Sequence, residues 1–496
     1  MMTFKRLVSL MLSIALALSL AACSGKNAPG STLSDSSSPS VPLQEQNAPK
    51  APYGDSHASE VYRASIYYAS ADGTVSMPST RVLWLNSDAP LERRLAEETL
   101  KSPGGDAVSV APKGSKIISV EAAGPIVNVN IQPSAPMTDT EKSILMEAMS
   151  KTLMELEHVE GVNFLISGRA ASLSSLPAGL ITKDTSFRTL MDENVRLLQD
   201  NSASVSRKAA LYFPSLDESC LLVESATITL NADDPASSLL LALAKAPKTA
   251  GAAVAIPMYD ALIAKKSQVS LTASGDQILS VYLDASALSA LNESGHDRNL
   301  YLASIVLTLT SFLPEIDGVS LEIGGKLVTE VPVKDGETRK FASGIMKRSD
   351  FAHLIGKNVT LYFANESGML AGETRAMPIS FADSPRALMQ ALMAGPRNAS
   401  LLPVFPNGIR ETDILGIRVS SGVANVNLSS NVYRLAQSFT DAEEELFVFS
   451  LVNTLSNLRN VSGIRLYFDG ETGSVLTRNV YLEGIILKNP GRISKP

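Results

Sequence analysis

The stretch LVNTLSNLRNVSGIRLYFDG, residues 451–470, joins the end of a helical pattern to a short strand that a glycine closes. Its last eight residues, from Gly463, read glycine, aliphatic, polar, apolar, any, apolar, any, glycine. This alternation is typical of a half-buried strand followed by a glycine turn. The same pattern recurs in GVNFLISG from Gly161 and in GVSLEIGG from Gly318. The sequence therefore predicts three copies of one structural unit.

The segments before each closing strand follow the same order in all three copies. Apolar residues at i, i+3 or i+4 and i+7 predict an amphipathic helix that contains a Thr-Leu pair. An alternating strand precedes this helix, and a shorter helix that stops at a proline precedes that strand. The Thr-Leu pairs begin at Thr152, Thr308 and Thr454, and the prolines are Pro103, Pro247 and Pro396.

Each copy opens with a further strand that carries two neighbouring aromatic residues. These strands contain IYY from Ile66, LYF from Leu211 and LYF from Leu361. A third LYF, from Leu466, belongs instead to the closing strand of the third copy. The tripeptide thus marks two different strands of the unit, and it indicates architecture, not catalysis.

These patterns predict an α+β fold of three tandem small modules, each with two helices packed on one face of a mainly antiparallel sheet. Each module, at about 110–130 residues, is long enough to fold alone. The predicted segments are a signal peptide 1–22, a tether 23–62, module 1 at 63–183, a helical linker 184–206, module 2 at 207–334, a linker 335–357 and module 3 at 358–489.

The N-terminus predicts a lipoprotein signal peptide. A basic start is followed by an apolar run over residues 7–20, which is too short for a stable membrane span. The sequence LAAC, which ends at Cys23, resembles the bacterial lipobox, where the cysteine receives diacylglycerol and the signal is cut just before it. We therefore expect lipidation of Cys23 and a lipid bilayer as the partner of this end of the chain.

Composition limits the remaining possibilities. The chain has 43 basic and 50 acidic residues, a net charge of −7, which argues against nucleic acid as a partner. Residues 24–60 are rich in Ser, Pro, Gly and Asn and predict a disordered tether. The chain has two cysteines, which excludes a disulfide framework, and we interpret Cys220 as a small apolar strand residue.

Three stretches of the third copy resemble the GerMN domain family, which occurs in sporulation and spore-germination lipoproteins. They are SPRALMQALMAGP from Ser384, GVANVNLSSNVYRL from Gly422, and residues 451–470. The resemblance covers roughly residues 63–489 and is strongest in the third copy. It implies ring-building modules, small α+β domains that associate side by side in envelope complexes. A known member of the family has two such domains, whereas this chain has three.

We find no constellation of residues that predicts an enzyme, a cofactor site or a metal site. Four isolated histidines, without metal-ligand spacing, are His57, His158, His296 and His353. The chain lacks a GxSxG elbow, a CxxC pair and a phosphate-binding loop.

Two acidic groups and two asparagine pairs have structural interpretations. Asp233 and Asp234 precede Pro235 and are expected to favour a helix start, and the acids at 443–445 are expected to form a solvated first helical turn. The asparagines alternate with apolar residues along two strands, so their face could be wet or could meet a neighbouring module. They are Asn128, Asn130, Asn425 and Asn427.

The sequence thus favours a non-enzymatic envelope lipoprotein whose modules mediate protein–protein assembly. The resemblance implies a role in sporulation or germination, in a complex that links mother cell and forespore. Acylation of Cys23 would place the chain on the extracytoplasmic face of the cell membrane, and the resemblance implies the intermembrane space during sporulation. The expected partners are envelope or sporulation-complex proteins and further copies of the chain. Two alternatives stay open: a lipid-anchored solute-binding protein, and a regulator of a cell-wall enzyme.

Overall fold

Each of the three modules begins with a long antiparallel hairpin and continues into a second sheet. The computed structural model describes residues 60–85, 90–103, 107–200, 203–231, 233–249, 263–287, 289, 297–333, 337–472, 476 and 480–494. All three modules lie within one packed unit, Gln44–Pro496. The signal peptide, Cys23 and nearly all of the predicted tether lie outside the described residues, as do His57 and His296.

In the described residues of the first module there are ten strands and two helices, and a third helix follows them. The strands are β1 (Glu60–Ser70), β2 (Ser76–Leu85), β3 (Ala107–Val108), β4 (Lys116–Ala123), β5 (Ile126–Gln132), β6 (Gly161–Ile166), β7 (Arg169–Ala170), β8 (Ser172–Leu173), β9 (Leu176–Pro177) and β10 (Ile181–Thr182). The helices are α1 (Leu91–Thr99), α2 (Asp139–Leu153) and α3 (Phe187–Gln199), the last within the predicted helical linker.

The second module repeats this order. Its strands are β11 (Ser204–Pro214), β12 (Leu221–Asn231), β13 (Ile263–Leu271), β14 (Gln277–Leu283), β15 (Gly318–Ile323), β16 (Lys326–Leu327), β17 (Glu330–Pro332), β18 (Thr338–Lys340) and β19 (Ile345–Met346). Its described helices are α4 (Pro235–Leu243), α5 (Arg298–Phe312) and the short α6 (Arg348–Phe351).

The third module follows directly. Its strands are β20 (Gly356–Asn365), β21 (Leu370–Pro378), β22 (Leu401–Leu402), β23 (Ile414–Ser420), β24 (Val423–Leu428), β25 (Gly463–Phe468) and β26 (Ile486–Leu487). Its helices are α7 (Ile379–Ala382), α8 (Pro385–Met393), α9 (Ser430–Ala436) and α10 (Asp441–Leu455).

The second sheet of each module has a parallel pair at its centre. Strand orders are β10-β6-β5-β4, β13-β14-β15-β16 and β23-β24-β25-β26. β5 runs parallel to β6, β14 to β15 and β24 to β25, and the other pairs in these sheets are antiparallel. A long helix joins each parallel pair because two strands that run in the same direction need a crossover connection. The fold is therefore mixed α+β with mostly antiparallel sheets, and the three predicted closing strands are confirmed as β6, β15 and β25.

A short strand returns to pair with the start of each closing strand. Ile181 lies opposite Val162, Met346 opposite Val319, and Ile486 opposite Ile464. We call β10, β19 and β26 the return strands. β19 lies in the stretch 335–357 that the sequence predicts as a linker, so part of that stretch belongs to the sheet of the second module. Two-residue strands lack the length that makes alternation visible in a sequence.

Helix starts follow the expected capping chemistry, with one correction. Asp234 accepts a hydrogen bond from the backbone of Ser237 at 3.1 Å, and Glu443 completes a capping box with Thr440. The prediction of a solvated face at 443–445 is wrong for Glu444, which is fully buried and accepts from the backbone of Val480 at 3.2 Å. The segment after β25 folds back over this turn, which the local pattern cannot reveal.

A threonine of each long helix bonds to the opening strand of its module. The tyrosine backbone N–H is the donor and the threonine hydroxyl the acceptor in every case. The pairs are Tyr67 with Thr152 at 2.9 Å, Tyr212 with Thr308 at 3.2 Å, and Tyr362 with Thr454 at 3.2 Å. The IYY and LYF strands and the Thr-Leu pairs, separate signals in the sequence, thus meet in space. In the described part of the chain, helices that are long and apolar enough to cross a bilayer are absent.

Candidate functional site

The first two modules dock through a buried polar network. Arg348, at the start of α6, donates to Glu121 Oε2 of β4 at 2.8 Å and to Ser311 Oγ of α5 at 2.5 Å. The Tyr212 hydroxyl donates to Asn128 Oδ1 of β5 at 3.3 Å and accepts from Ser311 Oγ at 3.2 Å. Glu121 and Asn128 come from module 1 and the other three residues from module 2, so this network crosses the boundary between the two modules.

This network is buried, so the charges and polar groups in it need partners within the protein. Tyr212 is 0% exposed and Asn128 1%, and the Arg348 side chain keeps 11% of its surface. Burial alone lowers the pKa of Arg348, but the nearby Tyr212 and Glu121 outweigh it and raise that pKa. Arg348 therefore stays charged, and its charge is balanced by a carboxylate from the neighbouring module.

The asparagine face of module 1 explains which side of the sheet is used. Val127, Val129 and Phe164 point into the core of module 1, so Asn128 and Asn163 point to the opposite side of the sheet. Asn163 donates to Asn128 Oδ1 at 3.2 Å. We call this side of the second sheet the outer sheet face. The sequence left two possibilities for this face, a wet surface or contact with a neighbouring module, and Asn128 shows the second.

A second ion pair supports the same boundary. Arg169 of β7 bonds to both carboxylate oxygens of Asp317, at 2.8 and 3.0 Å. A parallel bridge between Ala170 and Pro314 lies beside it. Bidentate pairs fix orientation as well as distance, so this contact sets how the two modules are aligned.

The docking residues of module 2 occupy positions that recur in every module. One is the opening-strand tyrosine, and one lies three residues after the helix threonine. The third is the basic residue two positions after the return-strand residue that lies opposite Val162, Val319 or Ile464. We call these three residues the interface triad. The triads are Tyr67, Glu155 and Lys183 in module 1; Tyr212, Ser311 and Arg348 in module 2; and Tyr362, Asn457 and Lys488 in module 3.

The three triads have different surroundings. That of module 2 is covered by the outer sheet face of module 1. In module 3 the C-terminal residues pack beside α10, where the Asn489 backbone donates to Asn453 Oδ1 at 3.1 Å and Arg492 pairs with Glu445. In module 1 the triad lines an open cleft of about 380 Å³.

The second and third modules meet at a close-packed seam. Leu221 forms a parallel bridge with Ile355, and Ser219 Oγ donates to the backbone oxygen of Ala376 at 2.9 Å. Cys220 lies against Gly356 in this seam and is fully buried. Burial raises the pKa of the Cys220 thiol to about 11. Cys220 is thus a small apolar packing residue, as interpreted from the sequence, but it lies just before β12 and not within the strand.

The two described histidines show no metal-ligand arrangement. His158 lies 3.4 Å from Glu92, and burial together with Lys357 lowers its pKa. His353 lies 3.2 Å from Arg339, and burial and that arginine lower its pKa. Among the described residues, groups of three or more His, Cys, Asp or Glu side chains that could hold a metal ion are absent.

Sequence reasoning missed the arginine and the acid at the centre of the network. Arg348 lies in the stretch predicted as a linker, and Glu121 lies on the strand that precedes β5. The only signal that pointed to this surface was the Asn-Val alternation of β5. A signal that could have found Arg348 is the basic residue that follows each of the three return strands at the same register.

Comparisons with solved structures give matches of low identity. The tandem GerMN domains of the sporulation protein GerM from Bacillus subtilis match with 16% identity and a TM-score of 0.24, over 58% of this chain and 99% of that one. A putative lipoprotein from Clostridium perfringens matches with 19% identity and a TM-score of 0.20, over 27% of this chain and 88% of that one. The first GerMN domain of GerM matches with 12% identity and a TM-score of 0.19, over 23% of this chain and 89% of that one. A search of curated proteins finds no match.

A family model gives the assignment. The model described as Germane, sporulation and spore germination, matches residues 65–172, 210–329 and 360–474. These three matches fall one in each module and together cover more than half of the chain. The family is not a known enzyme family. The chain therefore belongs to the Germane, or GerMN-domain, family of sporulation and spore germination proteins.

Proposed function

We propose that this chain is a non-enzymatic envelope lipoprotein whose GerMN modules mediate protein–protein assembly during sporulation or spore germination. Each module would present two helices on one face of its sheet and a polar outer face for docking. The observation that carries the proposal is the Arg348–Glu121 contact, because it is a module-to-module interface built from positions that every module repeats.

The composition of this interface fits recognition between modules. A tyrosine and an arginine form its centre, and both residue types are enriched where protein surfaces bind one another. The charges are paired and the hydroxyl and amide groups are hydrogen-bonded, so docking leaves few buried polar groups without partners. A module of this design can therefore serve as a building block for a larger assembly.

The proposed location rests on the N-terminal sequence. Signal cleavage before Cys23 and acylation of its thiol would hold the modules at the extracytoplasmic face of the cell membrane. In a sporulating cell that face borders the space between mother cell and forespore. Tethering would raise the effective concentration of the modules for envelope partners in that space.

Fractionation tests the anchor. The unchanged chain is expected in the membrane fraction and should incorporate labelled palmitate, and Cys23→Ala should abolish that labelling. Inhibition of the lipoprotein signal peptidase should leave an acylated precursor that retains its signal peptide. Cys220→Ala is the matched control because it removes the other cysteine and leaves the signal unchanged. Incorporation of labelled palmitate into the Cys23→Ala chain would overturn the anchor.

Timed localisation tests the role. A fluorescent fusion should gather at the membranes around the forespore, and deletion should lower the yield of heat-resistant or germinating spores. Crosslinking in sporulating cells followed by mass spectrometry should recover envelope proteins. A deletion strain that sporulates and germinates normally, together with no envelope protein captured, would refute the assembly role.

A further inference from the structure

The cleft of module 1 is the counterpart of a surface that is occupied in module 2. Tyr67, Glu155 and Lys183 line it, and they stand at the positions of Tyr212, Ser311 and Arg348. In module 2 the residues at these positions contact the outer sheet face of module 1. In module 1 the corresponding positions meet no sheet face among the described residues.

The chemistry of the cleft suits a polar protein surface. The Tyr67 hydroxyl donates to Glu155 Oε1 at 3.2 Å, and Lys151 pairs with Glu147 at 2.6 Å. Ser150 is 1% exposed, lines the cleft, and has a hydroxyl without a hydrogen-bond partner among the described residues. The apolar lining is provided by Met154, Ile181 and Phe187. The cleft thus offers paired charges and a free buried hydroxyl over an apolar floor.

The outer sheet face of module 2 is the counterpart of the face that module 1 contributes to the interface. Gln268, Ser280 and Ser320 lie side by side across β13, β14 and β15, at the positions of Glu121, Asn128 and Asn163. Ser280 Oγ and Ser320 Oγ are 3.0 Å apart, as the two asparagine side chains bond to each other in module 1. Gln268 is exposed and the two serines are half-buried, so this face is open.

We propose that the cleft of module 1 binds the outer sheet face of module 2 from a second copy of the chain. The same pair of surfaces already forms the interface between modules 1 and 2, which is the reason for choosing a second copy as the occupant. This inference rests on the proposed function and names one partner and both surfaces for it.

The acid that accompanies the basic residue lies on the sheet face in the interface within the chain, but in the cleft in the proposed contact. Within the chain, Arg348 meets the acid Glu121, and the helix position beside it is the neutral Ser311. In the proposed contact the sheet position is the neutral Gln268, while Glu155 stands beside Lys183 in the cleft itself. The cleft therefore supplies the countercharge that the sheet face lacks, and the Gln268 amide can donate to Glu155.

The two surfaces lie on different modules, so the contact is heterologous. Each copy that receives a sheet face in its cleft still offers its own sheet face, and copies add head to tail until the rotation closes or a filament forms. Anchoring at one membrane would favour this association by raising the local concentration of copies.

Site-directed crosslinking tests the geometry. Two full-length variants in a Cys23→Ser background, one Glu155→Cys and the other Ser320→Cys, are mixed in detergent and treated with a short bis-maleimide. An inter-chain product is expected, whereas the surface control Glu366→Cys should give none with either variant. A lack of product, or a product formed instead with Arg418→Cys on the corresponding face of module 3, overturns the proposal.

Association tests the chemistry. Glu155→Lys should weaken self-association by tenfold or more, and Gln268→Glu in the same chain should restore it by recreating the Glu121–Arg348 charge pattern. Glu366→Lys makes the same charge change outside both surfaces and should have no effect. A chain that stays monomeric over the whole concentration range refutes this contact. Capture of envelope proteins by such a monomer would leave the proposed function intact.

Discussion

The hydroxyl of Thr454 accepts a hydrogen bond from the backbone N–H of Tyr362 at 3.2 Å, and one turn earlier Ser450 donates to the backbone oxygen of the same tyrosine. β20 pairs with β21 along its length but with β22 only at Ala364 and Asn365, so Tyr362 lies on an open strand edge. α10 therefore covers this edge with side-chain partners in place of a strand. Open edges invite pairing with other chains, and the two hydroxyls close this one.

Thr454→Val should lower the stability of this strand edge by removing the acceptor of the Tyr362 N–H. Valine keeps the shape but leaves the Tyr362 N–H without an acceptor, which costs about 1–3 kcal/mol for a buried donor. Hydrogen exchange of the peptide that contains Tyr362 should speed up by about tenfold for each 1.4 kcal/mol. Exchange in the α4 peptide should stay unchanged.

Thr454→Ser is the matched control for this cap. It removes a methyl group but retains the hydroxyl, so protection of the Tyr362 peptide should remain close to that of the unchanged chain. Equal exchange in the valine and serine variants would show that packing of the side chain, not the hydrogen bond, holds the edge.

Arg348→Met should destabilise the interface between modules 1 and 2. Removing one partner of a buried ion pair costs about 3–5 kcal/mol, and the lower end applies because Glu121 keeps 24% exposure. The melting temperature of the full chain should fall. Adding Glu121→Leu should recover much of the loss, because the unpaired buried carboxylate is then gone.

Lys347→Met provides the comparison for Arg348→Met. Lys347 adjoins Arg348 and pairs with Asp276 at 3.3 Å, but 47% and 36% of the two side chains are exposed. Exposed pairs contribute about 0–1 kcal/mol, so the melting temperature should barely change. A similar fall for both variants would refute the structural role of the Arg348 network.

Local sequence patterns were enough to predict the three repeated modules, but not how the modules contact one another. Gly161, Gly318 and Gly463 begin strands that alternate cleanly, because one side of each strand packs against helices. β24 and β25 are parallel and are joined by a crossover. The sequence predicted a mainly antiparallel sheet and did not identify this parallel pair. Its physical cause is the long helix that intervenes.

The residues of the interface are remote in sequence, which explains why most were missed. Arg348 and Glu121 are separated by 227 residues, and neither belongs to a periodic segment that marks it. Tyr212 lies in the predicted opening strand that contains LYF, yet its hydroxyl donates to Asn128 of another module. The burial of Glu444 likewise depends on a segment that follows β25. Long-range contacts of this kind leave no local periodicity to read.

Acid should weaken the seam between modules 2 and 3 through Asp217. Burial raises the pKa of this carboxyl, but hydrogen bonds from Arg397, Ser215 and Ser219 outweigh burial and lower the pKa from 3.8 to about 2. A lowered folded-state pKa means that the stabilisation is complete above pH 3.8 and is lost as the pH falls toward 2. Unfolding by urea, measured from pH 5 to pH 2, should show this loss.

Two variants check that the acid effect comes from Asp217. Asp217→Asn should be less stable at pH 5 and should lack this part of the pH dependence. Arg397→Met removes one donor and brings the folded-state pKa of Asp217 closer to 3.8, so the loss should be smaller and should be complete at a higher pH. Identical slopes in all three proteins between pH 4 and pH 2 would assign the effect to other carboxyls.

Gly356→Ala should force modules 2 and 3 apart. An added Cβ would lie 2.3 Å from Cys220 Sγ and 2.6 Å from the backbone oxygen of Met377, and the backbone oxygen cannot move aside cheaply.

In a Cys23→Ser background the only thiol is Cys220, whose burial and raised pKa keep it unreactive while the seam is closed. Reaction with an aromatic disulfide reagent at pH 8 should therefore be at least tenfold faster in Gly356→Ala. Gly484→Ala, where the added Cβ meets no atom within 4 Å, should react at the rate of the unchanged chain. Equal rates in all three proteins would mean that Gly356 does not govern the closure of this seam.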